Sequence, residues 1–524
     1  MRTRYAFFNI AAGLGNQLVI TALSFLSRTV FIHSLGAEYL GVNALFTSVL
    51  AMISLAEAGI GASITYQLYK PVAEDDRPRI LGLMRLYRRA YAAIGLVVLA
   101  LGLAMLPLLP YVVRDVSVER LELVYVLFVL NTALPYFFIH RHSFLNVNQK
   151  NYIVTLTFTG ATVLATALKV LVLLRTGDYI LYLVTEFSIM LAATIGVAAV
   201  VGRMYPWLRL KDAPPVDPAT KRELMTNVKA ILLQNVGTYL IFGAESLVIS
   251  SFVSVAAVGL YSNYKMLIDI CRNFIYQVSN NLYHSVGNLV ARESRERIYE
   301  VFRGMQLMNF WLYSCAGIAL YAVIGPFIRA WIGEAWVMEP AVPALLLLLF
   351  YERGMRNAVA TVKTTSGIFR EDRYAPLVQA AVTLGCAVAL VGPLGISGVF
   401  LGSLIGALAV PFWVTPWWVY RKVFAMPLRR YFIVYARYTA VAGAALAAVL
   451  MASRFLPADG WTAVAARMAL ALTVPNLLYW AMFRRLKEFE LLAGAARRIA
   501  EMLFGWLRPG AERSAEARKA GQTQ

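Results

Sequence analysis

The stretch YAAIGLVVLALGLAMLPLLPYVV, residues 91–113, decides the fold class of this chain. It contains no charged residue and is long enough for one membrane crossing, because the hydrocarbon core of a bilayer is about 30 Å thick and a helix rises about 1.5 Å per residue. Backbone polar groups that face lipid cannot bond to water, so a block of this kind must satisfy them as a helix. The segment therefore predicts a transmembrane helix.

Similar apolar blocks recur along the whole chain. Of its 524 residues, 60% are hydrophobic and 15% are charged, whereas a soluble protein carries about a quarter charged residues. The sequence predicts an all-α polytopic membrane protein with about 14 transmembrane helices. Their predicted positions are residues 7–32, 41–66, 91–113, 121–139, 152–174, 179–201, 230–253, 260–282, 305–327, 341–362, 376–394, 396–419, 431–451 and 463–483.

The net charge of +20 follows this predicted topology. Most of the 49 Lys and Arg residues fall in segments that are cytoplasmic if the amino terminus is inside, as the positive-inside rule requires. Such residues follow the second and twelfth predicted helices, at Lys70, Arg77, Arg79, Arg85, Arg421, Lys422, Arg429 and Arg430. We therefore expect an even number of crossings with both termini cytoplasmic. The charge then has an explanation other than nucleic-acid binding, and we expect no nucleic-acid partner.

The predicted helices divide into two halves joined by a proline-rich segment. We expect an N-terminal six-helix bundle at residues 1–202, a cytoplasmic linker at 203–229 and a C-terminal six-helix bundle at 230–430. Helices 13 and 14 follow at 431–483, and a basic amphipathic cytoplasmic tail occupies 484–524. A shift of 218 residues places Leu40-Gly41-Val42 on Val258-Gly259-Leu260, which favours an internal repeat with a pseudo-twofold axis along the membrane normal.

Polar side chains within the predicted helices are the candidate functional residues. A charge at the bilayer centre costs about 3 kcal/mol or more, so it normally faces a cavity or a partner. Polar residues recur at helical spacing in helices 1, 2, 7 and 8, which favours a water-filled cavity between the halves. Arginine binds phosphate oxygens with its planar fork, and hydroxyl and amide groups suit sugars. The candidate substrate-binding residues are Gln17, Arg28, Asn43, Lys265, Arg272, Asn280, Arg353 and Arg356.

Structural interpretations of the same charges stay open. Arg28 and Glu57 are as compatible with helix-locking ion pairs as with function, and Asp269 is able to pair with Lys265 or Arg272. Glu352 and Arg356 have the spacing of an ion pair on one helix. Lys169, near the end of its predicted helix, is expected to extend its ammonium group towards the membrane surface.

Several chemistries lack their sequence signals. No GxxxxGK[ST] motif is present, so we expect no ATP hydrolysis by a P-loop. The four His residues do not show metal-ligand spacing with Cys or acidic residues, and no pairing of a nucleophile with a base is readable. The three cysteines lie in apolar segments and indicate no disulfide. We expect a transporter that is not an enzyme and has no cofactor or metal.

Five stretches resemble the polysaccharide transporters, the Wzx-type O-antigen and capsule flippases of the MOP superfamily. The first is LGAEYLGVNALFTSVLAMISLAEAGIGASITYQLYKPVAEDD, residues 35–76, which is similar to the first loop and second helix of that family. The others are FLNVNQKNYIV at 144–154, AVGLYSNYKMLI at 257–268, SGIFREDRYAPLVQA at 366–380 and the segment at 395–424. Their order and spacing carry the resemblance, which spans most of residues 1–435.

The resemblance implies a MATE-like core of two six-helix bundles plus two further helices in a bacterial inner membrane. It implies alternating access with a polyprenyl-diphosphate-linked oligosaccharide as cargo, for surface polysaccharide biosynthesis. The cavity of the family is typically cationic, in agreement with the arginines and lysine named above. Glu57, Glu245 and Asp269 become candidates for gating or ion coupling. Expected partners are the cargo and membrane lipids, with a polysaccharide polymerase and glycosyltransferases as further candidates.

Three other functions compete with this one. A MATE-like drug/cation antiporter of the same superfamily is expected to have a more acidic and aromatic cavity. A peptidoglycan-precursor flippase shares the architecture and differs in cargo. A membrane polymerase or glycosyltransferase is disfavoured, because the predicted outside loops are all short and leave no room for a donor-binding domain.

Overall fold

The computed structural model describes residues 2–54, 60–113, 116–208, 214–218, 222, 237, 240–241, 243–368 and 371–494, with the backbone alone at 2–14, 16, 60, 62 and 277–292. This part of the chain consists of helices joined by turns and loops. Its helices are α1 Arg2–Ile53, α2 Ile60–Ala73, α3 Arg77–Ala104, α4 Leu109–Val112, α5 Leu121–Ala133, α6 Ile139–Val147, α7 Asn151–Thr176, α8 Tyr179–Met204, α9 at 243–252, α10 Val255–Arg292, α11 Arg295–Ile332, α12 Ala341–Thr365, α13 Ala375–Ala409, α14 Pro411–Val419, α15 Arg429–Ser453 and α16 Gly460–Phe483.

Two of these helices are interrupted by a glycine. In α1, Gly36 has φ 82° and ψ −167°, and in α13, Gly395 has φ 54° and ψ −139°. Positive φ is strained for residues with a Cβ, so a glycine allows the chain to change direction at these points. The 52 residues of α1 would span about 78 Å if straight, more than twice the apolar thickness of a bilayer. The break at Gly36 divides α1 into residues 2–35 and 37–53, and the break at Gly395 divides α13 into residues 375–394 and 396–409.

The described helices confirm a multi-pass membrane protein. Eight of them are long and apolar enough to cross a membrane, and a ninth crossing results if α5 with its following 3-10 turn and α6, bent by 47°, form one broken span. The long helices α10 and α12 are not among the eight, and they carry several of the predicted functional charges. The count of about 14 and the division into two six-helix bundles stay predictions.

The chain forms two compact units. The first consists of Met1–Phe274, Ile328–Leu349 and Asp372–Val414. Within it α7 packs along α8 and against α1, while α2 and α5 each pack on α3. Its core includes the fully buried side chains of Leu68, Met84 and Leu145, and the rings of Tyr87 and Tyr91, tilted by 56°, have centroids 4.8 Å apart.

The second unit consists of Ile275–Phe327, Phe350–Glu371 and Thr415–Gln524. Here α15 packs along α16, and four aromatic rings form the centre of the core that these helices share with α11. These rings belong to Phe310, Tyr438, Tyr479 and Phe483. Within the predicted tail, Glu488 accepts hydrogen bonds from both Nε and Nη2 of Arg303, the latter at 2.7 Å. This ion pair fixes the start of the tail to α11.

Candidate functional site

Arg28 joins α1 to α10. Its Nε donates to Oδ1 of Asn263 at 2.9 Å, and its Nη2 donates to the hydroxyl of Ser262. Asn263 is fully buried, so the guanidinium provides a hydrogen bond that water does not. These two partners are neutral, and the positive charge of Arg28 is therefore not cancelled by them.

Two glycines let the same helices approach closely. A Cβ on Gly41 would come closer than 3.0 Å to the carbonyl oxygen of Val255, and one on Gly259 would come as close to that of Ala37. The two contacts are reciprocal under the predicted shift, because Ala37 and Gly41 correspond to Val255 and Gly259. Reciprocity of this kind is what a local twofold relation between two segments produces. We call this region, with Arg28, Ser262 and Asn263, the α1–α10 seam.

Near the seam, Trp331 adds a further polar link. Its indole N–H donates to the hydroxyl of Thr29 at 2.8 Å, and its ring lies edge-on to Phe25 with centroids 5.2 Å apart. The segment that follows α11 is also tied to α10, since the backbone N–H of Met338 donates to the hydroxyl of Tyr264 at 2.8 Å. Sequence analysis did not single out Trp331 or Tyr264.

Lys265, Asp269 and Arg272 form a charged triad on α10. Asp269 lies between the two cations, 3.1 Å from Nζ of Lys265 and 3.0 Å from Nη2 of Arg272. The two pairings that the sequence left open thus occur together. One carboxylate between two cations leaves a formal charge of +1. The side chains of Lys265 and Arg272 are 40% and 43% exposed, so the triad has an accessible surface.

Glu245, a candidate for gating or ion coupling, is buried in the first unit. Its carboxylate accepts hydrogen bonds from the hydroxyls of Tyr261 and Ser403, each at 3.0 Å. It thereby links α9, α10 and α13. No test of coupling follows from this geometry, and its role stays a prediction.

Arg356 and Arg353 lie on α12, in the second unit. The predicted pair forms: Nε of Arg356 lies 2.8 Å from Oε1 of Glu352, and its Nη2 lies 3.1 Å from Oε2. Both edges of the carboxylate are engaged, and Glu352 is buried. Arg356 therefore has an acidic partner, whereas the described partners of Arg28 are neutral. Arg353 is partly exposed.

Some predicted site residues lie outside what the structure describes. Glu57 is among them, and α10 passes through Asn280 without a described side chain. Gln17 lies partly exposed on α1. Asn43, after the Gly36 break, donates from Nδ2 to the hydroxyl of Tyr179 at 3.3 Å. The common cavity that would unite all the predicted residues stays a prediction.

The expectation for Lys169 is wrong. Its ammonium group does not extend to the membrane surface: its side chain is 10% exposed, and Nζ lies 2.9 Å from Glu186 of α8 and 4.7 Å from the centre of the Tyr182 ring. The pairing of Lys169 with Glu186 could have been predicted from their distances along the sequence to the turn between α7 and α8. Lys169 lies eight residues before Gly177 and Glu186 eight after Asp178, so a tight turn between α7 and α8 places them opposite each other.

A polar cavity of about 350 Å³ lies beside this ion pair, within the first unit. Three helices line it: α1 with Asn43, Thr47, Leu50, Ala51 and Ser54, α5 with Leu127, Phe128, Asn131 and Thr132, and α8 with Leu183 and Glu186. Of these residues only Asn43 was among the candidates named from the sequence, and the contributions of α5 and α8 were missed.

No protein-family model matches the sequence, and no curated protein sequence matches it. Solved structures do share its fold. An inward-facing multidrug resistance MATE family transporter of the MOP superfamily aligns with a TM-score of 0.61 at 14% identity, covering 78% of this chain and 96% of its own. The MATE multidrug transporter DinF-BH, solved as a complex, aligns with a TM-score of 0.55 at 15% identity, covering 79% and 94%.

The lipid II flippase MurJ, in an inward closed conformation, aligns with a TM-score of 0.62 at 11% identity and covers 90% of this chain and 98% of its own. These structures are membrane transporters and flippases. Identities this low show the fold alone. The chain therefore has the fold of the MOP-superfamily transporters.

Proposed function

We propose that this protein is a flippase that translocates a polyprenyl-diphosphate-linked oligosaccharide across a bacterial inner membrane by alternating access. The observation that carries the proposal is the triad of Lys265, Asp269 and Arg272 on α10. Two accessible cations share one acid, within a helix that belongs to a membrane transporter fold.

The charge of the triad favours a cavity over lipid. A charge that faces lipid near the bilayer centre costs about 3 kcal/mol or more, and Asp269 balances only one of the two cations, Lys265 and Arg272. The residual charge of +1 attracts anions. A diphosphate offers several anionic oxygens, so it is able to compete with Asp269 for Arg272, whose planar fork matches phosphate geometry.

Arg28 supports the same cargo class. Because its described partners, Asn263 and Ser262, are neutral, exchange for a phosphate oxygen replaces a neutral acceptor with an anionic one. The same exchange would remove the hydrogen bonds of Arg28 between α1 and α10. Cargo binding and opening of the α1–α10 seam are thereby linked, which is what alternating access requires.

The test is transport by the purified full-length protein in proteoliposomes. A short-chain prenyl diphosphate that carries a labelled oligosaccharide is expected to move between leaflets, whereas a fluorescent organic cation is not. Arg272→Ala is expected to lower the transport rate about tenfold. The matched control is Arg297→Ala, because Arg297 also pairs with an acid three residues away, Glu300, but lies outside the predicted spans. Transport of the organic cation in place of the lipid would favour the antiporter and overturn the proposal.

A second candidate is flipping of a peptidoglycan precursor. The observation that favours it is the share of this chain that aligns with each structure. MurJ covers 90% of the chain, whereas the MATE transporters cover 78% to 82%. Both cargoes share the polyprenyl diphosphate and differ in the glycan and its peptide. Complementation separates them: rescue of a strain depleted of its lipid II flippase supports the second candidate. Rescue of a strain that lacks its O-antigen or capsule flippase supports the first.

A further inference from the structure

We propose that the cavity between α1, α5 and α8 binds one sugar residue of the transported cargo. This assignment rests on the proposed function and adds to it a second, uncharged binding site within the first unit. The sugar pocket, as we call it, is lined by the eleven residues given above and has a volume of about 350 Å³.

Three hydroxyl groups that line the pocket are available as hydrogen-bond acceptors. Those of Thr47, Ser54 and Thr132 donate to backbone carbonyls one turn earlier on their own helices, at 2.7, 2.8 and 2.9 Å. Each hydroxyl has one hydrogen and two lone pairs, so these three oxygens remain acceptors for a ligand. A ligand rich in hydroxyl donors matches them.

The amides and the acid extend the same pattern. Asn43 and Asn131 present an amide on α1 and α5, and each amide is able both to donate and to accept. The carboxylate of Glu186 accepts only. Polyhydroxylated rings supply donors and acceptors in turn, as these groups require.

The charge of the pocket excludes the other parts of the cargo and the rival substrates. Glu186 is paired with Lys169 at 2.9 Å, so the charges of the described residues at the pocket sum to zero. Among these described residues, a diphosphate would meet an acceptor-rich wall without an excess cation. An organic cation would meet a carboxylate that Lys169 already neutralises. A neutral sugar avoids both penalties.

Size and apolar walls fit one ring. Small-molecule sites range from about 300 to 1,000 Å³, and this pocket lies at the lower end of that range. Leu127, Phe128 and Leu183 give it apolar surface, against which the C–H face of a pyranose is able to pack while its hydroxyls reach the polar rim. A whole oligosaccharide does not fit.

The experiment compares binding of a bare prenyl diphosphate and of its sugar-bearing forms to the purified full-length protein in nanodiscs. The probes are undecaprenyl diphosphate and the same lipid with a single glucose, galactose or N-acetylglucosamine. Wild-type protein is expected to bind at least one sugar-bearing lipid about tenfold more tightly than the bare lipid. The double variant Thr47→Val/Thr132→Val keeps side-chain shape and removes two acceptors. It is expected to lose about tenfold in affinity for the sugar-bearing lipid and nothing for undecaprenyl diphosphate.

The control is Thr162→Val on α7, whose hydroxyl makes the same type of bond, to the carbonyl of Phe158 at 2.8 Å, without lining the pocket. It is expected to bind both lipids like the wild type. The single variants are measured as well, so that a folding defect of the double variant does not hide the effect. The sugar pocket is overturned if the wild type binds the bare lipid and every sugar-bearing lipid with equal affinity. It is also overturned if the variants lose equal affinity for the bare and the sugar-bearing lipids. Either result leaves the flippase proposal intact. Absence of binding to every prenyl diphosphate overturns both.

Discussion

At the scale of single residues, the charges in the membrane helices differ in what neutralises them. Arg356 and Lys169 each face one acid, Glu352 and Glu186, which is how a buried charge is stabilised structurally. Arg28 faces an amide and a hydroxyl. In the sequence Arg28 and Arg356 are equivalent candidates for substrate binding. Only their hydrogen-bond partners in the structure distinguish them. This is why a role in cargo binding is better supported for Arg28.

Arg28→Ala is expected to weaken both folding and transport. It removes a charge-assisted bond to the fully buried Asn263, worth about 1.5–3 kcal/mol. We expect a lower melting temperature and a transport rate lowered by tenfold or more, measured on the same proteoliposome preparation. Arg28→Lys keeps the charge without the fork and should recover the rate only in part. Arg175→Ala, at an exposed position in the last turn of α7, is the control. Wild-type rate and stability in Arg28→Ala would exclude Arg28 from the site.

At the scale of helices, tight turns and glycines decide which side chains meet. Gly177 caps α7 in the left-handed conformation with φ 64°, and Asp178 caps α8 by accepting from the backbone N–H groups of Ile180 and Leu181. This two-residue connection makes α7 and α8 an antiparallel hairpin and brings Lys169 to Glu186. In the α1–α10 seam, Gly41 and Gly259 play the corresponding part by removing the Cβ that would separate the backbones.

The hairpin pair is expected to behave as a buried ion pair. Lys169→Met alone leaves Glu186, whose side chain is 32% exposed, without its counter-ion, which should cost about 1–3 kcal/mol of stability. The double variant Lys169→Met/Glu186→Leu removes both charges and should recover most of that loss. Thermal unfolding of the purified variants in one detergent gives the comparison. Additive losses in the double variant would mean that the two charges do not stabilise each other.

Gly41→Ala is expected to disrupt the seam. The added methyl group would collide with the carbonyl of Val255, and overpacking of this kind costs about 1–3 kcal/mol. Gly160→Ala, in α7, is a matched control, because a Cβ there meets nothing within 4 Å. It should be neutral or stabilise by about 0.5–1 kcal/mol through helix propensity. Equal melting temperatures for the two variants would contradict the close approach of α1 and α10.

For the whole molecule, the sequence was sufficient for the fold class and insufficient for the pairings. The length of the apolar segments predicted a multi-pass helical membrane protein. The reciprocal contacts of Gly41 with Val255 and of Gly259 with Ala37 agree with the internal repeat that a shift of 218 residues indicated. The sugar pocket was not predictable, because Thr132 of α5 and Glu186 of α8 are far from Thr47 in sequence and meet only through packing. Hydropathy identifies the apolar segments of the sequence, but it carries no information about which helices pack against each other.

The predicted topology is testable by the labelling of single cysteines. The protein has free Cys271, Cys315 and Cys386, so these are first replaced by Ala and transport is checked. Pro215→Cys and Ala458→Cys then place single thiols at exposed positions that are separated by seven predicted crossings. An odd number of crossings puts them on opposite sides of the membrane. With the amino terminus inside, a membrane-impermeant maleimide should label Ala458→Cys in intact spheroplasts and Pro215→Cys only after permeabilisation.

Thr176→Cys, at an exposed position in the last turn of α7, is the control for the outside, because five predicted crossings precede it. Its labelling in intact spheroplasts shows that the reagent reaches short outside turns. If neither Pro215→Cys nor Ala458→Cys is labelled in intact spheroplasts while Thr176→Cys is, an even number of crossings separates the two unlabelled positions. The count of about 14 would be wrong in the second half of the chain, where α10 and α12 carry the charges that hide a crossing from hydropathy. If all three results match, the basic loops lie on the cytoplasmic side, and the net charge of +20 is explained by orientation in the membrane.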